Sequence, residues 1–95
     1  MAKVKLFTDS SFRGTEETVT KDVINFKSIG INDQVSSIEV IEGSWQIYWD
    51  ADYRGKNVTV SQYGGPHGDG KYPNPESLGG INDHFSSIKL VNDQG

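Results

Sequence analysis

Apolar and polar residues alternate along this chain in short runs. In "KVKLF", Val4 and Leu6 face one way and Lys3 and Lys5 the other. That alternation predicts a strand with one buried face. Trp45, Ile47 and Trp49 share a face of "WQIYW", and Val58 and Val60 point inward around Thr59 in "NVTV". "SSIEV" and "SSIKL" pair Ile38 with Val40 and Ile88 with Leu90. Apolar residues never recur at helical spacing over a useful length; a short helical turn fits near "FKSIG" or "ESLGG". Many short strands separated by Gly, Asn and Asp predict an all-β sandwich or barrel.

The pattern also repeats. "LFTDSSFRGTEETV", from Leu6, lies over "IYWDADYRGKNVTV", from Ile47, at an offset of 41. Each copy has an aromatic, a second aromatic five residues on, and Arg-Gly after it: Phe7, Phe12, Arg13, Gly14 and Tyr48, Tyr53, Arg54, Gly55. In a folded-back hairpin the first aromatic can cover the second, and the glycine supplies positive φ or a close approach that a Cβ would block. "NDQVSS" from Asn32 and "NDHFSS" from Asn82 match at an offset of 50, leaving about nine extra residues in the second half. "YGGPHGDGKYPNP" is where they fit, and its Gly and Pro predict loop. Two equivalent halves with four strands each predict paired Greek keys. Residues 1–95 then form a single domain, with one Greek key at about 3–43 and the other at about 44–92.

Composition narrows the function. The chain has 95 residues, no cysteine and a net charge of −4. Disulfides, iron–sulfur clusters and thiolate zinc sites are excluded. Acids and bases are spread evenly, with no basic run to suggest a nucleic-acid or anionic-membrane surface. No apolar stretch approaches the ~20 residues of a membrane span. "MAKVKLFTD" lacks the apolar core of a signal peptide, so the expectation is a cytosolic protein or a module cut from a larger exported one. His67 and His84 are not spaced as zinc ligands. No G-x-S-x-G elbow is present, "DGKYPNPE" lacks the EF-hand frame, and the expectation is that this is not an enzyme. Trp45 and Trp49 read as core aromatics, with a sugar platform as the alternative.

The N-D-x-x-S-S stretches carry the candidate chemistry. A hard cation such as calcium takes six to eight oxygens, and a carboxylate, an amide, a hydroxyl and free carbonyls are that kind of ligand set. Six residues cannot fill the shell, so another loop must contribute. Taken singly, each stretch reads as a turn in which Asn and Asp cap backbone N–H groups. Duplication behind a duplicated hairpin favours the cation.

Together, "FTDSSFRG" and "YWDADYRG" with "NDQVSS" and "NDHFSS" resemble a βγ-crystallin domain over about residues 3 to 92, most closely the single-domain, calcium-binding microbial kind. "KYPNPESLGG" is similar to the Tyr-Pro stretch of that family's second motif, which would make Tyr72 a tyrosine corner. The resemblance implies a sandwich of two four-stranded antiparallel sheets built from two Greek keys, binding two calcium ions as a monomer. It implies ligands at Asn32, Asp33, the Gln34 carbonyl and the Ser36 hydroxyl, and at Asn82, Asp83, the His84 carbonyl and the Ser86 hydroxyl. A carbonyl from the other half's hairpin, at Thr8 or Asp9 and at Trp49 or Asp50, completes each site. The resemblance gives Ser37 and Ser87 a structural role against the hairpin. The alternative function is a calcium-shaped recognition module for carbohydrate or protein, with loop 61–77 as its contact.

Overall fold

The computed structural model describes residues 1–31, 34–80 and 85–93. Seven strands run in chain order: β1 Lys3–Asp9, β2 Arg13–Val19, β3 Ser37–Glu42, β4 Ser44–Asp50, β5 Arg54–Ser61, β6 Lys71–Tyr72 and β7 Ser87–Asn92. They form two antiparallel sheets, ordered β2-β1-β3-β6 and β5-β4-β7. The chain is all-β, apart from one-turn 3-10 segments at Phe26–Ile29 and Pro75–Leu78. Both "FKSIG" and "ESLGG" therefore make the turn that the sequence allowed. Asn25 and Asn74 cap them, and left-handed Gly30 and Gly79 end them, the usual chemistry of short helical segments.

The two halves interlock. β6 comes from the second half but pairs with β3 of the first, Ile38 facing Tyr72 and Glu39 facing Lys71. The corresponding first-half segment crosses the other way and reaches β7 through a single bridge, Val23 to Ile88. Here the structure departs from two four-stranded sheets, because the fourth place in the second sheet holds one bridging residue. Side-chain chemistry replaces the rest of that strand: the Asp22 carboxylate accepts the Leu90 N–H at 2.7 Å, and the Phe26 N–H donates to the Ser86 carbonyl at 2.7 Å. A second difference lies in "YGGPHGDGKYPNP", expected as loop throughout. Two of its residues are β6, too few to show a period and flanked by Gly70 and Pro73.

The alternating positions fill the space between the sheets. Val4, Leu6, Ile38 and Val40 of one sheet meet Trp45, Ile47, Val60 and Ile88 of the other, all buried. Each such side chain contributes roughly 1.5–3 kcal/mol by leaving water. The Trp45 indole N–H donates to the Glu42 carbonyl at 3.2 Å, so the buried ring carries no unmet donor. Trp49, predicted on the same face, is half-buried where the β4–β5 register slips between Tyr48 and Asp50.

Candidate functional site

Both hairpins fold back as the aromatic-Gly pattern predicts. Phe7 and Phe12 meet edge to face with centroids 5.6 Å apart, and Tyr48 and Tyr53 do so at 5.8 Å. Gly14 and Gly55 have φ of 81° and 80°. A Cβ on Gly14 would lie 2.3 Å from Thr8 Oγ1, and one on Gly55 would lie 2.7 Å from Asp50 Oδ2. The glycines are not the only left-handed residues: Ser11, Phe12, Asp52 and Tyr53 have φ between 58° and 61°. Each such non-glycine residue costs about 1–2 kcal/mol, so something must hold it.

The last serine of each motif holds it. Ser37 Oγ donates to the Asp9 carbonyl at 2.6 Å and accepts the Phe12 N–H at 3.0 Å. Ser87 Oγ donates to the Asp50 carbonyl at 2.6 Å and accepts the Tyr53 N–H at 3.1 Å. Both serines are fully buried. The hairpin tips then reach the opposite half, where Ser11 N–H bonds the Pro73 carbonyl at 2.7 Å and Asp52 N–H bonds that of Ile24 at 2.9 Å.

Ser36 and Ser86 stand one residue earlier and are also buried. Ser36 N–H donates to the Phe7 carbonyl at 2.9 Å, and Ser86 N–H to that of Tyr48 at 2.8 Å. The ladders pair Phe7 with Ser37 and Tyr48 with Ser87. One step further along each ladder, Thr8 adjoins Ser36 and Trp49 adjoins Ser86. Both hairpin residues fall where the hairpin register slips. Among the described residues each hairpin adjoins the serines of its own half, because β3 returns beside β1 and β7 beside β4.

Of the remaining predicted ligands, Gln34 is exposed, with its N–H on the Ile31 carbonyl at 3.2 Å. Asp9 and Asp50 have exposed side chains. Asn32, Asp33, Asn82, Asp83 and His84 lie outside the described residues. Among the described residues no three His, Cys, Asp or Glu side chains gather as a metal cluster. The described donors are hydroxyls and carbonyls, a chemistry that fits a hard cation and not a soft metal.

Sequence reasoning passed over some residues. Val35 and Phe85, the second variable position of each motif, are fully buried in the core. Their signal was an apolar residue at that position in both copies. Asp22, which completes the second sheet, had none. Tyr72 is buried and its hydroxyl accepts the Ser61 N–H at 3.1 Å, the side-chain-to-backbone tether of a tyrosine corner.

Interlocked Greek keys, folded hairpins and buried serine ties define a double Greek-key sandwich. The chain belongs to the beta/gamma crystallin family: the family model described as Beta/Gamma crystallin matches residues 3–91. It is 37% identical over 89 residues to a protein named Beta/gamma-crystallin from Ciona intestinalis, covering 94% of this chain and 98% of that one. A solved structure of the beta gamma crystallin from Ciona intestinalis is similar with a TM-score of 0.84 at 36% identity, covering 94% and 99% of the two chains. A betagamma-crystallin structure from an archaeon is similar with a TM-score of 0.80 at 28% identity, covering 95% and 98%.

Proposed function

We propose that this domain binds two calcium ions, one at each N-D-x-x-S stretch, and is stabilised by them without catalysing a reaction. The observation that carries this reading is the duplicated adjacency of a buried serine and a slipped hairpin residue: Ser36 with Thr8, and Ser86 with Trp49. Asn32, Asp33 and the Gln34 carbonyl would join the first ion, and Asn82, Asp83 and the His84 carbonyl the second. The Asp9 and Asp50 carbonyls each already accept a short hydroxyl bond, which favours Thr8 and Trp49 as the hairpin carbonyl donors. A bound divalent cation would also offset repulsion in a chain of net charge −4. Ligand at ~100 times its dissociation constant adds about 2.7 kcal/mol per independent site, a large share of a small domain's stability.

Calorimetric titration with calcium, paired with thermal melting, tests this. Two ions per chain and a raised Tm are expected; no heat and no shift would overturn the reading.

One observation favours recognition as a second role. Tyr63 is 70% exposed on a loop tied to the sandwich by Gln62 N–H to Gly43 O at 3.1 Å and Gly43 N–H to Gln62 Oε1 at 2.6 Å. An exposed ring on a fixed support suits a carbohydrate or protein partner. Calcium-dependent retention on polysaccharide, abolished by Tyr63→Ala, is its expected signature.

A further inference from the structure

The outer face of the second sheet carries a chemistry that the first sheet lacks. In the first half Lys5 sits opposite Thr18 and Glu39, and Phe7 opposite Glu16. In the second half Gln46 sits opposite Thr59 and Lys89, and Tyr48 opposite Asn57. The offset of 41 equates Lys5 with Gln46, Phe7 with Tyr48 and Glu16 with Asn57. One half has an ion pair there, Lys5 Nζ to Glu16 Oε2 at 3.9 Å. The other has two neutral amides, with Gln46 Nε2 donating to Asn57 Oδ1 at 2.6 Å. The phenylalanine ring of one half becomes a phenol in the other, and its hydroxyl donates to Gln46 Oε1 at 2.9 Å.

The three side chains thus form a directed chain from Tyr48 through Gln46 to Asn57. Tyr48 and Gln46 are half-buried, and Asn57 is exposed. The internal bonds fix both amides, so a ligand finds their rotamers already chosen. Among the described residues the chain leaves one Gln46 N–H, both Asn57 N–H groups and the lone pairs of the Tyr48 oxygen unused. A sugar hydroxyl both donates and accepts, and this face offers partners of both kinds. Thr59, exposed beside Gln46, adds a hydroxyl.

Charge decides the class of ligand. Gln46, Tyr48, Asn57 and Thr59 carry none. Lys89 is turned onto the Tyr53 ring, 5.4 Å from its centroid. The Asp22 and Asp52 carboxylates act on Tyr53 as well, so an anionic polymer crossing this border would meet like charge.

We propose that the outer face of the second sheet, centred on Tyr48, Gln46 and Asn57, binds a neutral polysaccharide. This site is separate from the Tyr63 loop and uses none of the proposed calcium ligands, so its occupation needs no calcium.

The test is affinity electrophoresis of the intact chain through gels holding a neutral β-glucan, xylan or galactomannan, or an anionic polyuronate, each with chelator. Retention by at least one neutral polymer is expected, and none by the polyuronate. The double variant Gln46→Lys with Asn57→Glu copies the ion pair of the first half, so its fold has a precedent in the same chain. It should weaken retention roughly tenfold or more, by removing several neutral hydrogen bonds. Tyr48→Phe copies Phe7 and should weaken retention less. Circular dichroism confirms the fold of each variant. In the wild type, the side-chain amide NMR signals of Gln46 and Asn57 should shift when an oligosaccharide of the retained polymer is added. No retention by any of the neutral polymers overturns the proposal, as does retention unchanged in the double variant. Preference for the polyuronate overturns the ligand class. Loss in Tyr63→Ala with no loss in the double variant moves the site to the loop and overturns this one.

Discussion

The Ser37 hydroxyl accepts the backbone N–H of Phe12 at 3.0 Å, across 25 residues of chain. With its second bond, to the Asp9 carbonyl, it closes the hairpin whose tip holds two left-handed residues, Ser11 and Phe12. Ser37→Ala leaves a donor and an acceptor unmet in a part-buried place, at about 1–3 kcal/mol each. The expected loss is roughly 2–4 kcal/mol, read as a lower urea midpoint at an unchanged slope. Ser87→Ala should behave alike through Tyr53 and Asp50. A loss under about 0.5 kcal/mol for both, the size of an ordinary surface change, would mean that the hairpins hold themselves.

Tyr72 and Gly64 form a second dependent pair. Tyr72 Oη accepts the Ser61 N–H at 3.1 Å, and a Cβ on Gly64 would lie 2.1 Å from that oxygen. Tyr72→Phe should cost about 1 kcal/mol, the worth of one hydrogen bond. Gly64→Ala should cost more, because it displaces a buried ring as well as the bond. Thermal melts of both variants and the double mutant test this: the double mutant should lose less than the sum, since the clash and the bond share one oxygen.

Calcium should act on the fold as well as on the sites. At ~100 times the dissociation constant, each occupied site should raise Tm by about 10–20 °C, taking 4–8 °C per kcal/mol for a domain of this size. Chelation should return it. Ser36→Arg should abolish one site, by removing a hydroxyl and adding a cation, while the sandwich persists. Ser37→Arg should harm folding more than stoichiometry, because Ser37 serves the hairpin. Unchanged stoichiometry in Ser36→Arg would remove Ser36 from the ligand set.

Alkaline pH should find Tyr53. Burial foremost, then the carboxylates of Asp22 and Asp52 and the phenol of Tyr48, push the Tyr53 hydroxyl above its ordinary value. A folded-state value above the unfolded one means that the folded chain keeps this proton more firmly. The stabilisation is full below the unfolded value and is lost as pH rises through the folded one, a window above about pH 10. Wild type should therefore lose stability there more steeply than Tyr53→Phe, as denaturant melts across the range would record. Parallel losses would show that Tyr53 is not the group responsible.

The sequence by itself determined the local devices, because their physics acts within a few residues. Alternation gave the faces of β1, β4 and β3, and the twice-repeated spacing of aromatic, aromatic and glycine gave two folded hairpins with Gly14 and Gly55 at positive φ. The repeat also pointed to a sandwich built from two halves. Only the tertiary structure decided how those halves engage. β6 is two residues long and joins the other half's sheet, while its counterpart shrinks to the Val23 bridge and the Asp22 carboxylate. Such pairings depend on partners about 30 or more residues away and leave no period to read. The same holds for the serines. Their duplication was legible, but the β1–β3 and β4–β7 registers set Ser36 beside Thr8 and Ser86 beside Trp49, each within its own half. A register is fixed by the whole buried face of a strand, since a slip of one residue would turn every core side chain to solvent.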